Sequence, residues 1–471
     1  MTAAVAAPAV PLGFLGHAAQ TLRLAVPVML ARAGLVILIT VDTVMTGAAG
    51  GEELAFYGAS LAPHITMLTV GIGLLTGTVV YVAQMAGAGR AAECGRIWKR
   101  ALAIAATIGS AYMVALLFGR EMLALLGQFP EVVEGGGRAL VMFGPGMPAM
   151  LMYVATSFFL EGIGRPKPGM VITLTANLVN AALNWAMIFG HLGLPAMGAA
   201  GATLATSITR WWMFAMILLY VLTMRDRRRY GIGLASSGPP AVGTLKLLKL
   251  GAPFAIAIGV ETSTFSGMAA LAGLVSIAAL AAYQIALNFM ALVYMLALGL
   301  STATSIRVAN AVGAGDAVGL SRAGWTGTGL VAGLMLFVGT ATWLGREGIA
   351  LAYTEDPAVL PLAVAALAIA AAITLLDGAQ GVLIGALRGA ADAFVPTLIY
   401  GLSFWAVSLP AAWWFGVHLG VGVPALMWSL FAGLLVATGL LAWRFHGLAA
   451  RHVRRTRPPA APLDNSQAPI P

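Results

Sequence analysis

The sequence predicts an all-α polytopic membrane protein, with twelve transmembrane helices in two six-helix lobes related by a parallel pseudo-two-fold repeat. Three observations predict this. Of the 471 residues, 60% are hydrophobic and 9% charged, and mean hydropathy is +0.91, a balance that no soluble domain of this size tolerates. The apolar runs are helix-length, too long and too Gly/Pro-punctuated for the ~10-residue alternating strands of a membrane barrel. The two halves also match at one constant offset of 226 residues.

In chain order, apolar runs of membrane-crossing length predict spans at 20–46, 54–83, 97–118, 138–160, 168–190 and 196–224. The second half predicts 246–272, 278–306, 322–344, 358–386, 394–416 and 421–444. Sorting Lys and Arg by the connections between these spans puts 21 on one side and 3 (Arg120, Arg138, Arg346) on the other, with Arg32 and Arg210 inside spans. By the positive-inside rule both termini are expected in the cytoplasm and the chain in the cell membrane. The net charge of +9 then reads as topology and contact with anionic lipid, with no nucleic acid expected. Residues 1–20 lack the marks of a cleaved signal and read as a lead-in. The single Cys94 excludes an intrachain disulfide; flanking basic residues place it in a loop as a free surface thiol.

The repeat maps Pro27 on Pro253, Tyr57 on Tyr283, Gly73 on Gly299 and Val82 on Val308. It also maps Gly87-Ala-Gly89 on Gly313-Ala-Gly315, Gly119-Arg-Glu121 on Gly345-Arg-Glu347, and Phe189-Gly190 on Phe415-Gly416. An even number of spans per unit makes the repeat parallel, about an axis along the membrane normal. The expected units are an N-lobe over 21–224, a cytoplasmic linker over 225–245, a C-lobe over 246–445 and a disordered tail over 446–471. The linker is marked by Arg225-Asp-Arg-Arg-Arg229 and Ser236-Ser-Gly-Pro-Pro240.

Of the 17 acidic residues, fourteen fall in connections, termini or span ends. Asp42, Glu261 and Asp377 remain inside spans 1, 7 and 10. An acid at mid-bilayer costs about 2.5–3.5 kcal/mol on insertion scales, so each should face a polar interior as an ion site or as a hydrogen-bonded strut. Their repeat-mates differ: Asp42 corresponds to Met268 and Glu261 to Leu35. Each lobe acquired its own acid. Thr173, Asn177, Asn180 and Asn184 share one face of span 5 at helical spacing, as interhelical glue or a cation-coordinating face. Gln380 lies one turn after Asp377, and Gln284 and Asn288 form an i, i+4 pair more typical of glue than of a ligand. Phe265, one turn from Glu261, offers cation–π attraction to an organic cation or plain packing. Arg32 can snorkel, Arg210 needs a carboxylate or carbonyl partner, and His64 is isolated.

There is no phosphate-binding loop, nucleophile elbow or metal-ligand cluster in the sequence. ATP-driven transport and a membrane enzyme are therefore not expected. Two symmetric lobes with buried acids point instead to a secondary transporter without cofactor.

The chain resembles the multidrug and toxic compound extrusion (MATE) family, nearest its bacterial NorM-type branch, from about Leu22 to Leu441. The resemblance rests on Val41-Asp42-Thr43-Val-Met-Thr-Gly47, Leu183-Asn184-Trp185, Gly259-Val-Glu261, Tyr283-Gln-Ile-Ala-Leu-Asn288, Ser305-Ile-Arg-Val308, Leu375-Leu-Asp377-Gly-Ala-Gln380 and Ala386-Leu-Arg-Gly389. It implies export of organic cations in exchange for Na⁺ or H⁺, through a V-shaped central cavity between the lobes. It implies that Glu261 and Asp377 bind the coupling ion, as metal ligands if that ion is Na⁺, and that Asp42 is the N-lobe acid. Asn180, Asn184 and Thr206 match polar positions that accompany that acid. One departure stands out: Ile373, one turn before Asp377, occupies a position where NorM-type members often carry a tyrosine.

The expected activity is a secondary multidrug efflux antiporter working by alternating access on cationic amphipathic molecules, as a monomer in the bilayer. Polar cavity positions would be Asn180, Asn184, Thr206, Phe265, Gln284, Asn288 and Gln380. The rival is a flippase of a lipid-linked or amphipathic substrate, whose anionic cargo calls for a basic cavity. Here three acids stand against Arg210 and Arg32.

Overall fold

The computed structural model describes residues 14–233 and 241–456. Helices follow the predicted order: α1 (Phe14–Ala49), α2 (Gly51–Gly87), α3 (Ala91–Leu116), α4, α5 (Lys167–Phe189) and α6 (Gly198–Thr223). Then come α7 (Thr244–Val275), α8 (Ile277–Ala314), α9 (Ala317–Tyr353), α10 (Leu360–Gly389), α11 (Phe394–His418) and α12 (Val423–Thr456). Eleven are single helices long and apolar enough to cross a membrane. α4 is a pair, Pro130–Phe143 and Gly146–Gly162, bent by 44°. Pro145 between two glycines supplies the bend, since it cannot donate to the helix ladder.

Several helices run past their predicted ends. α3 begins six residues early, α1 includes part of the predicted lead-in, and α12 continues through 446–456 of the predicted tail. Hydropathy detects only the most apolar part of a helix, and these extra turns include polar residues such as His17, Glu93, Arg96 and Arg451. The remaining lead-in and tail, and Ser236 to Pro240, lie outside the described residues.

The early start of α3 corrects the placement of Cys94. It sits in the first turn of that helix, fully buried, with its thiol donating to Val82 O at 3.5 Å. Of the flanking basic residues Lys99 is exposed, Arg96 pairs with Glu93 at 2.9 Å and Arg100 reaches the linker.

Helix starts are capped where the chain turns sharply. Ser276 accepts from Ala279 N at the start of α8, and Asp316 accepts from Gly319 N at the start of α9. Glu53 of α2 reaches across to accept the Ala199 N–H at 2.6 Å, setting a carboxylate at the positive end of α6.

The described part of the linker packs on the N-lobe. Arg165 grips Asp226 with two bonds of 3.0 and 2.6 Å, Arg100 donates to Val242 O at 2.7 Å, and Tyr230, Ile232 and Val242 are buried.

The lobes meet along a seam that obeys the sequence repeat. A Cβ on Gly87 would lie 2.1 Å from Asn310 O, and one on Gly313 would lie 1.9 Å from Gln84 O. Gly313 is the repeat-mate of Gly87, and Asn310 that of Gln84. Likewise Gly73 abuts Ala255 and its mate Gly299 abuts Met29, the mate of Ala255. Reciprocal contacts of this kind are what a two-fold interface produces. Gln84 Nε2 donates to Gly389 O at 3.1 Å, and Arg307 of α8 is held by the Thr21 hydroxyl at 2.7 Å and by His17. Every one of these contacts lies in the half of the molecule that bears both chain ends.

Because backbone meets backbone there, any side chain at Gly313 must wedge the lobes apart. In a Cys94→Ser background carrying Ala309→Cys, the buried position 309 should react with a hydrophilic maleimide at least about fivefold faster when Gly313→Val is added, since a packed interior cannot absorb the extra volume. An unchanged rate would mean that the seam is not where the lobes close.

Candidate functional site

Three buried or cavity-lining acids occupy two distinct environments. Asp42, on α1, is 1% exposed and enclosed within the N-lobe. Asn184 of α5 donates to its Oδ1 at 2.6 Å, Thr206 of α6 donates to its Oδ2 at 2.6 Å, and Tyr57 of α2 approaches the same oxygen at 3.4 Å. Asn180 completes the shell: its amide donates to Thr206 Oγ1 at 3.3 Å and its Oδ1 accepts from Asn184 at 3.2 Å. The polar face of α5 therefore divides. Its first half is glue: Asn177 donates to Gly34 O at 3.0 Å, and Thr173 shares a 2.7 Å bond with the Tyr153 hydroxyl. Its second half holds the carboxylate. In this conformation Asn180, Asn184 and Thr206 surround Asp42 and do not line the central cavity.

Arg210 of α6 finds neither a carboxylate nor a carbonyl in hydrogen-bonding contact. It donates to His64 Nε2 at 2.9 Å, lies 5.6 Å from the Phe143 ring, and acts on Asp42 through space. His64 is thereby an acceptor at Nε2, and its ring stacks on Phe143 at 3.9 Å. The isolated histidine of the sequence is the partner of the isolated arginine.

Glu261 and Asp377 line a cavity of about 550 Å³ between the lobes. α7 supplies Glu261, Thr262 and Phe265; α10 supplies Asp377; α1 and α2 supply Arg32, Thr69 and Ile72 from across the seam. Glu261 lies near enough for its charge to act on Asp377. Two tyrosines missed at the sequence level join them. Tyr294 of α8 also lines the cavity, its hydroxyl packed on Gly381, one turn beyond Asp377. Tyr400 of α11 lies close to Glu261 and Gln380. Gln380 is buried, and its Oε1 has no partner among the described residues. Ile373 is fully buried in the C-lobe core, facing away from the cavity. Hydroxyl donors therefore come from α8 and α11.

The pair on α8 does not enter this site. Asn288 is exposed and accepts from Tyr353 at 2.9 Å, while Gln284 is exposed and outside the cavity lining. Two further buried charges lie where the sequence predicts span ends or connections: Arg388, which lines the cavity, and Glu161, near enough for Arg388 and Arg32 to act on it. Among the described residues no group of three or more His, Cys, Asp and Glu gathers as a metal site would require.

The two strong donors to Asp42 set an expectation. Removing one partner of a buried carboxylate costs about 1–3 kcal/mol, so Thr206→Val should lower the unfolding midpoint in detergent clearly more than Tyr57→Phe, whose bond is long. Equal losses would contradict the shell described.

The MatE family model matches residues 27–186 and again 253–414, two segments that begin at the repeat-mates Pro27 and Pro253. The "Probable multidrug resistance protein NorM" of Caulobacter vibrioides is 33% identical over 431 residues, 91% of each chain. The "Multidrug resistance protein PmpM" of Pseudomonas aeruginosa is 31% identical over 444 residues, 93% of this chain and 92% of that one. In fold, the chain is similar to a solved eukaryotic MATE transporter, AtDTX14, with a TM-score of 0.83 at 18% identity, covering 95% of this chain and all of that one. A family match spanning both lobes and relatives of this identity along nearly the whole length place the chain in the MatE family of membrane transporters, among relatives of the NorM type.

Proposed function

We propose that this protein is a secondary multidrug efflux antiporter, exporting organic cations in exchange for Na⁺ or H⁺. The observation that carries the proposal is the placement of Glu261 and Asp377 together in one interlobe cavity, with no ion pair to either among the described residues. Two like charges in an apolar surround repel. A small cation, a shared proton or a bound organic cation relieves that repulsion, and any one displaces the others. Exchange follows from this competition when the two lobe arrangements differ in which occupant they favour. Carboxylate, hydroxyl and amide oxygens from Glu261, Asp377, Tyr294, Tyr400 and Gln380 are hard donors suited to Na⁺ and equally able to hold a proton. Phe265 and Tyr294 give the same cavity aromatic surface for an amphipathic cation.

The family relatives' printed names support the drug-export reading. The basic bias of the terminus-bearing side supports cytoplasmic termini in the cell membrane. With that orientation, the seam of Gly87 and Gly313 is the closed cytoplasmic gate and the cavity faces outward. One chain contains the whole cavity, so the transport unit is a monomer acting without cofactor and without chemical change to its cargo. Asp42, fully hydrogen-bonded, is an ion or proton site reached in another conformation of the N-lobe.

Efflux of a cationic dye from proteoliposomes, with Na⁺ and pH gradients imposed separately, tests the exchange. Glu261→Gln and Asp377→Asn should each cut gradient-driven efflux by about tenfold or more, the size of a typical coupling between sites. Both variants exporting at the parental rate with normal expression would sink the assignment.

A further inference from the structure

The closed end of the cavity carries charges that cation exchange does not use. Arg388 of α10 and Arg32 of α1 line the same cavity as the two acids, one from each lobe. Arg388 is only 7% exposed, and its buried Nε has no partner among the described residues. Its guanidinium lies over the Phe254 ring at 4.7 Å, and Arg32 lies over the Phe158 ring at 5.7 Å.

The acids nearby do not neutralise the pair. Glu161, from the last turn of α4, acts on both arginines through space but forms no ion pair with either within 4.0 Å. One of its oxygens accepts from Ser157 at 3.1 Å and the other has no partner. Asp392, beside Arg388, is engaged by Arg444 at 2.8 Å. At this end of the cavity two guanidinium groups stand near one carboxylate, and the buried Arg388 has no ion pair within 4.0 Å among the described residues. An unpaired buried charge is costly, and a planar guanidinium fork fits a carboxylate or phosphate through two parallel bonds.

Spacing links this end to the acid pair. Arg388 follows Asp377 by eleven residues on one helix, about 16 Å of rise. Eleven residues is close to three full turns, so the two side chains lie on one face of the helix and both line the cavity. The cavity is therefore bipolar along its length. We propose that Arg388, together with Arg32, forms an anion-accepting subsite that holds one end of amphoteric cargo molecules. Their carboxylate or phosphate group docks on the arginines while their cationic end meets Glu261 and Asp377. This deepens the export reading and rests on it for the role of the acids. It also removes the sequence-level objection to anionic cargo, because the floor of the cavity is basic.

A matched dye pair tests it by binding alone: rhodamine B, which carries a free carboxylate, and its ethyl ester, a cation without one. Fluorescence anisotropy is measured on the purified full chain in phosphatidylcholine nanodiscs. Arg388→Gln should raise the Kd for rhodamine B about tenfold more than the Kd for the ester, and Arg388→Lys should recover part of that difference. Arg32→Gln should shift the ratio in the same direction, which guards against a folding defect in one variant. A Kd ratio that stays within about twofold of the parent in all three variants overturns the subsite, as each guanidinium-to-carboxylate bond is worth more than that. Repeating the titration in lipid-free detergent separates the two sources of anion. A ratio that moves only there assigns the arginines to a phospholipid phosphate and overturns the amphoteric-substrate form. Ion gradients play no part in the readout, so failure of exchange and failure of the subsite give different results.

Discussion

The cost of a charge in hydrocarbon governs this architecture. Lipid offers nothing to a carboxylate or guanidinium, so each must be satisfied inside a lobe or kept where water and cargo can reach it. The chain uses both solutions. Asp42 takes the first, enclosed by Asn184, Thr206 and Tyr57. Glu261 and Asp377 take the second, on the wall of the interlobe cavity. The acids thus divide between a rigid N-lobe cluster and an open C-lobe pair, although the lobes descend from one repeated unit.

That asymmetry is visible at repeat-related tyrosines. Tyr57 turns its hydroxyl to Asp42, whereas its mate Tyr283 donates to the backbone oxygen of Phe265. Where Asp42 stands in the N-lobe, the C-lobe buries Met268. The backbone repeat is kept and the polar chemistry is not. Two lobes of similar frame thus carry different buried charge.

Much of this was legible in the sequence because hydropathy, charge bias and a constant offset act over many residues at once. The twelve spans and the intramembrane acids came from such long-range patterns. What escaped depended on rotation about single helices. Nothing in the sequence around Glu161 and Arg388 separates a charge at a span end from one turned under a cavity. Tyr294 and Tyr400 resemble any aromatic in an apolar run until two helices bring their hydroxyls to the acids. Asn288 and Asn184 illustrate the same limit in opposite directions: both sit in polar helical patterns, yet one meets Tyr353 outside the cavity and the other holds Asp42. Cys94 was misplaced because polar flanks conceal the first turn of α3.

Where Gly87 meets Asn310 O and Gly313 meets Gln84 O, the seam brings backbone directly against backbone. A joint of knobs and holes must be unpicked residue by residue before its halves can part. A joint of bare peptide surface behaves more like a bearing. When it opens, the carbonyls it exposes are groups that water hydrates readily, so the loss of contact is partly offset by solvent. Small residues at the proposed gate would give a tight seal that is also easy to break, two demands that bulky packing would set against each other.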